Sequence, residues 1–146
     1  MNWDSLFGLA NSAALAGWVG LILLPRWLWL LAGIRYGLLT VLATLYVVLI
    51  FGFFFAVEGG GFNSIAEVRA LFASDPVLIA GWVHYLAFDL FVGLWIAERS
   101  RVIGLHRLLQ APILVATFMF GPLGLLLFYA ATAATRGFGA KTAQVA

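Results

Sequence analysis

Three side chains in the stretch 76–97 have the chemistry to move a proton: His84, Tyr85 and Asp89. Everything else in that stretch up to Ala97 is apolar or small enough for a membrane-spanning helix. A charge at the centre of such a helix costs roughly 2.5 to 3.5 kcal/mol on the mildest scale, so an ionisable residue there is a functional hypothesis by default. A low-dielectric setting favours the neutral forms, a protonated carboxyl for Asp89 and a neutral imidazole for His84. That is the pairing of a poised acid with a poised base. The alternative is that both are neutral hydrogen-bonding groups that tie helices together.

The helix that must carry them sets their geometry. At 1.5 Å per residue, His84 lies roughly 10 Å and Asp89 roughly 18 Å from residue 77, and five residues correspond to about 140° around the axis. His84, Phe88, Phe91, Trp95 and Glu98 form one stripe, and Trp82, Tyr85, Asp89, Val92 and Ile96 form its neighbour. The two do not share a stripe but could both border a cavity on one broad side of the helix. Tyr85 is one turn from Asp89 and within reach of a hydrogen bond to it. Trp82, Phe88 and Phe91, with Asn11 and Tyr46 from other spans, are the expected substrate-binding wall. Asn11, Tyr46 and Thr117 can equally serve as helix-packing contacts. Phe51, Phe53, Phe54, Phe55, Phe118, Phe120 and Phe128 are further apolar wall material, although phenylalanine in a membrane chain is as readily lipid-facing.

Composition fixes the class. With 64% hydrophobic and 10% charged residues in a chain of 146, and a mean hydropathy of +1.07, there is too little polar surface to solvate a globule. The chain has no cysteine, which removes disulfides and thiolate metal sites. No basic run points to nucleic acid as a partner. A retinal Schiff base would need a lysine inside the membrane, and the lysine of this chain is Lys141 in the tail. His84 and His106 do not share a depth for a bis-histidine haem, and spans one, two and four offer no carboxylate to complete a metal site, so neither metal nor cofactor is expected.

Four apolar runs are long enough for a hydrocarbon core of roughly 30 Å, near 6–24, 34–57, 77–96 and 112–133. The expectation is an all-α integral membrane four-helix bundle, one transmembrane domain over residues 1–146. The first run follows Met1-Asn2-Trp3-Asp4-Ser5, without the positive leader of a signal peptide, and reads as a retained span. Leu24-Pro25-Arg26 ends it. Between spans two and three, Gly59-Gly60-Gly61 turns the chain. Ser64 with Glu67 then forms a capping box for a short amphipathic helix near 64–72, with Ile65, Val68, Leu71 and Phe72 on one face. That helix either lies in the interface or covers a cavity between spans. Gly121-Pro122-Leu123-Gly124 predicts a kink in span four.

Arg26 and Arg35 fall in the first loop, and Arg99, Arg101 and Arg107 in the third, with His106 solvated or facing headgroups. The positive-inside rule then puts both loops in the cytoplasm and both termini outside, against the charge of Arg136 and Lys141 in the tail. Trp3, Trp18, Trp27, Trp29, Trp82 and Trp95 mostly fall near span ends, as interfacial anchors do. Small residues four apart (Ala10/Ala14, Ala13/Gly17, Ala16/Gly20, Gly33/Gly37) allow close helix approach, within one chain or between copies in a homo-oligomer.

The stretch from Ser64-Ile65-Ala66 to Leu71-Phe72-Ala73-Ser74, the core Trp82-Val83-His84-Tyr85-Leu86-Ala87-Phe88-Asp89-Leu90-Phe91 and the element Gly121-Pro122-Leu123-Gly124 resemble the abscisic-acid-deficient-four-like family of small four-span membrane proteins. Plant members of that family are associated with the synthesis of neoxanthin from violaxanthin. The resemblance implies a carotenoid or related isoprenoid lipid as ligand. It also implies a cofactor-free isomerase that opens an epoxide to an allenic alcohol, with His84 and Asp89 as base and acid in either order, or with Tyr85 donating to the epoxide. The other reading is a carotenoid-binding or structural membrane protein. No plastid transit peptide precedes the first span, and the expected location is a bacterial inner (plasma) membrane, multi-pass.

Overall fold

The computed structural model describes residues 2–143, with side chains described through residue 134. The first helix, α1 (Trp3–Leu23), starts where the Asn2 side chain accepts a hydrogen bond from the Ser5 amide at 3.2 Å, and Asp4 sits in its first turn. Such a cap answers one of the free amides of a helix start. After Pro25 the chain re-enters a helix six residues before the expected position 34. It runs as α2 (Leu28–Ala32), a π-helical segment (Gly33–Leu38), α3 (Leu39–Phe53) and a 3-10 turn (Phe54–Ala56). Trp29 and Arg35 therefore belong to the second long helix and not to the first loop. Leu, Val and Phe continue to both ends of that run, so hydropathy alone could not mark where it begins.

The short helix α4 (Ile65–Phe72) is capped by Ser64, whose hydroxyl accepts from the Glu67 amide at 3.2 Å. Glu67 reaches back to the amide of Asn63 at 3.0 Å, one residue earlier than a reciprocal capping box. Leu71 is buried and Phe72 lies against Gly81, while Ile65 is exposed. The helix thus lies over the start of α5 (Asp75–Val102), whose first turn tolerates Pro76 because that amide has no helical partner. Arg99 and Arg101, expected in a loop, occupy the last turn of α5, where cations suit the helix dipole.

α5 is the central element and packs on α1, α3 and α6 (Arg107–Phe120). Trp18 fits against α5 because residue 93 is glycine; a Cβ there would meet the indole. Gly17 admits Leu90 in the same way, and Ala10 and Ala14 are buried on that face. A Cβ added at Gly33 or Gly37 would meet no neighbouring element within 4 Å among the described residues. Phe51, Val41 and Val48 point outward with well over half of their surface exposed, as lipid-facing side chains do.

The fourth expected span takes a different form. It consists of two helices, α6 and α7 (Pro122–Ala143), joined at Gly121 with φ 24° and ψ −82°. α6 runs antiparallel to α5, since Gln110 bonds the Ile96 carbonyl near its start and the Phe118 carbonyl meets Tyr85 near its end. α7 then runs back along the pair: Gly121 lies at Asp89, whereas the Phe128 ring is 5.3 Å from that of Trp95. Gly124 lies directly on the backbone of Thr117, closing the two helices on each other. Fourteen residues of α6 reach only about 21 Å, short of a full crossing. Among the described residues three helices are long and apolar enough to cross a membrane, and α6–α7 forms a hairpin. The single kinked helix expected near 112–133 is corrected to this pair of helices. A glycine at a helix end followed directly by proline stops one helix and starts another, and here it does so completely. α7 therefore heads for the end of the bundle that holds Arg26 and Arg107, opposite the N-terminus. The side chains of Arg136 and Lys141 lie outside the described residues.

Candidate functional site

Asp89 sits where α1, α5 and the tip of the hairpin meet. It borders a cavity of about 230 Å³ whose wall includes Asn11, Trp82, Tyr85, Phe118 and Met119. Its Oδ2 is buried and has no hydrogen-bond partner among the described residues. A buried polar atom left unpaired is destabilising by about 1–3 kcal/mol, so it marks a place held for something other than stability. Tyr85 lies beside the carboxyl and interacts with it, and its hydroxyl also reaches the Phe118 carbonyl at 3.4 Å. Gly121 lets the carboxyl come so close, because a Cβ at that position would stand 2.9 Å from the Asp89 Cγ. The carboxyl thereby lies at the N-terminal, positive end of α7.

The wall opposite is fixed by α1. Trp82 donates its indole N–H to the Asn11 side-chain oxygen at 2.9 Å, and the Asn11 amide donates to the Phe7 carbonyl at 2.9 Å. Asn11 is both a wall residue and a packing contact.

His84 faces elsewhere. It borders a cavity of about 240 Å³ beneath α4, with Tyr46, Phe54, Phe62 and Phe72 around it. Its ring stacks on Phe88 at 4.6 Å and lies 5.3 Å from Tyr46. The rotation of about 140° between residues five apart turns the His84 stripe toward α3 and the Asp89 stripe toward α1 and α6. Among the cavities described, the two residues line different ones, not the shared cavity that the helix geometry also allowed. Tyr46 joins His84, and Trp82, Tyr85 and Asn11 join Asp89. Phe88 and Phe91 line a shallow apolar groove with Leu39 and Ala43 and are more than half exposed.

Two contributors to the Asp89 site had weak signals in the sequence. Phe118 offers a backbone carbonyl, which no residue type announces. Gly121 was legible as a glycine before a proline, but its contact with Asp89 depends on the hairpin. Among the described residues no three metal-ligating side chains converge.

Residues 5–128 match the family described as ABA DEFICIENT 4-like. The chain belongs to that family. The match spans the Asp89 cavity, the His84 cavity and the hairpin tip, so both cavities fall within the part that the family shares. No curated protein and no solved structure matches the chain.

Proposed function

We propose that this member of the ABA DEFICIENT 4-like family is a cofactor-free membrane isomerase of an epoxy-carotenoid or related isoprenoid lipid, with Asp89 and Tyr85 as its proton-transfer pair. The observation that carries this reading is the unpartnered carboxylate oxygen of Asp89 in a cavity beside the Tyr85 hydroxyl. Family membership supports the substrate class.

Conversion of a 5,6-epoxide to an allenic alcohol moves one proton and breaks one C–O bond. Asp89 takes the proton from the vinylic carbon beside the ring. The electron pair of that C–H bond becomes the new double bond to the ring carbon, which releases the epoxide oxygen. Tyr85 protonates the oxygen, and Asp89 returns its proton to the Tyr85 phenolate. Donor and acceptor are one helical turn apart, so the cycle closes without a third group, and positioned acid–base pairs of this kind contribute about 10²–10⁴-fold. His84 belongs to a second, aromatic cavity and acts in ligand binding rather than proton transfer.

A binding protein is the second reading, favoured by the aromatic surroundings of His84 and the exposed Phe88 and Phe91. Expression in a host that makes epoxy-carotenoids, followed by pigment analysis, separates the two. A new pigment of unchanged mass supports the isomerase. Unaltered pigment that co-purifies with the protein supports the binder and contradicts the isomerase.

A further inference from the structure

One end of the bundle gathers positive charge that the described residues do not answer. Arg26, Arg99, Arg101 and Arg107 lie there, while Asp4, Glu58, Glu67 and Asp75 belong to the opposite end, Asp89 to the middle, and Glu98 forms an ion pair with Arg35. Arg26 is half-buried. It donates to the Ala97 carbonyl at 2.9 Å and to the side-chain oxygen of the fully buried Gln110, which in turn donates to the Ile96 carbonyl at 3.3 Å. Arg107 donates to the Leu24 carbonyl at 2.9 Å and the Ile22 carbonyl at 3.2 Å. These contacts hold Arg26 within Coulombic range of Arg107 and Arg101; burial first and their repulsion second pull its guanidinium down to about 10, which leaves it charged at neutral pH.

Two polar atoms at this spot are buried without a partner among the described residues, the Nε of Arg26 and the hydroxyl of Ser100. Ser100 is fully buried, and a helical side chain leans over the preceding turn, here the turn of Ile96 and Ala97 that receives Gln110 and Arg26. Beside Arg26, the rings of Trp27 and Trp29 stack at 5.2 Å and are about half exposed or more, the placement of aromatic anchors at headgroup level.

We propose that Arg26, Arg101, Arg107 and Ser100 form a binding site for a phosphate group, supplied by an anionic phospholipid of the leaflet at this end. Guanidinium forks match phosphate oxygens in geometry and charge, and basic pockets between helices at the cytoplasmic face bind such headgroups. The phosphate would supply the counter-charge that no carboxylate among the described residues provides.

Thermal unfolding of the full chain in an uncharged detergent tests the site, with phosphatidylglycerol, phosphatidylcholine or sodium phosphate added in separate arms. Phosphatidylglycerol is expected to raise Tm with a saturating dose response, weakening as salt is raised. Phosphatidylcholine is expected to leave Tm unchanged. Arg101→Gln removes a side chain with no hydrogen bond among the described residues, so it should fold as the wild type does and lose most of the shift; Arg107→Gln should lose it as well. An Arg101-dependent shift with sodium phosphate alone keeps the phosphate site and overturns the lipid as its source. Equal shifts in wild type and both variants, equal shifts with both lipids, or no shift in any arm overturn the proposal.

Discussion

The Asp89 carboxyl lies against Gly121, the residue at which α6 ends and α7 begins, so the acidic group of the central helix is also a packing partner of the hairpin tip. The contact needs a residue without a side chain and a backbone with positive φ, and Gly121 supplies both. Gly121→Ala is expected to destabilise the protein by about 1–3 kcal/mol through backbone strain, with an added steric part against Asp89. Unfolding in detergent would show it, and Asp89→Ala in the same chain should relieve the steric part. Strictly additive losses in the double variant would mean that the two residues do not touch.

Tyr85 and His84 are adjacent in sequence but border different cavities, which separates their expected phenotypes. Tyr85→Phe should lower turnover of an epoxy-carotenoid by about 10²–10⁴-fold. His84→Ala should weaken substrate binding while leaving the rate at saturation within about tenfold of wild type. Comparison of KM and kcat for the two variants checks the assignment, and the reverse pattern would move the proton chemistry to the cavity beneath α4.

The hairpin places residue 134 toward the arginine end of the bundle and residue 5 at the other. The chain has no cysteine, so Ser5→Cys and Ala134→Cys can each be labelled with a membrane-impermeant thiol reagent in intact cells. One is expected to react only after the membrane is opened. Labelling of both from the same side would mean that the chain crosses the membrane a fourth time.

The hydrogen bond from Trp82 to Asn11 joins α1 to α5 across the wall of the Asp89 cavity. Asn11→Ala should destabilise the protein by about 0.6 to 1.7 kcal/mol, the range for polar contacts between membrane helices. Chemical unfolding in micelles measures it, and the emission of Trp82 should shift as its partner is lost.

Hydropathy and punctuation made much of this fold legible. Pro25 marked the end of the first helix, Ser64 the start of α4, and the apolar run around Asp89 the central span. The start of the second helix was not legible because Leu28 to Leu31 are as apolar as the residues of α3. The hairpin was hidden because hydropathy does not change at Gly121; only the glycine–proline pair records the break. Asp89 and Tyr85 stood out as polar groups in a span, and Asn11 as a polar residue on another. Their separation from His84 depends on which helices flank α5, information that the periodicity of a single helix does not hold. Gln110 gives no signal in the sequence for a related reason, since its role depends on Arg26, more than eighty residues away in the chain.

The central claim is that Asp89 transfers a proton, and Asp89→Asn tests it most directly, because the amide keeps the size and hydrogen bonding of the side chain but cannot serve as the base. Turnover of an epoxy-carotenoid would be measured in reconstituted membranes, with folded protein verified by its unfolding transition. Loss of the isomerised product by about 10²-fold or more, with the pigment still bound, is the predicted result. Wild-type turnover in Asp89→Asn would contradict it.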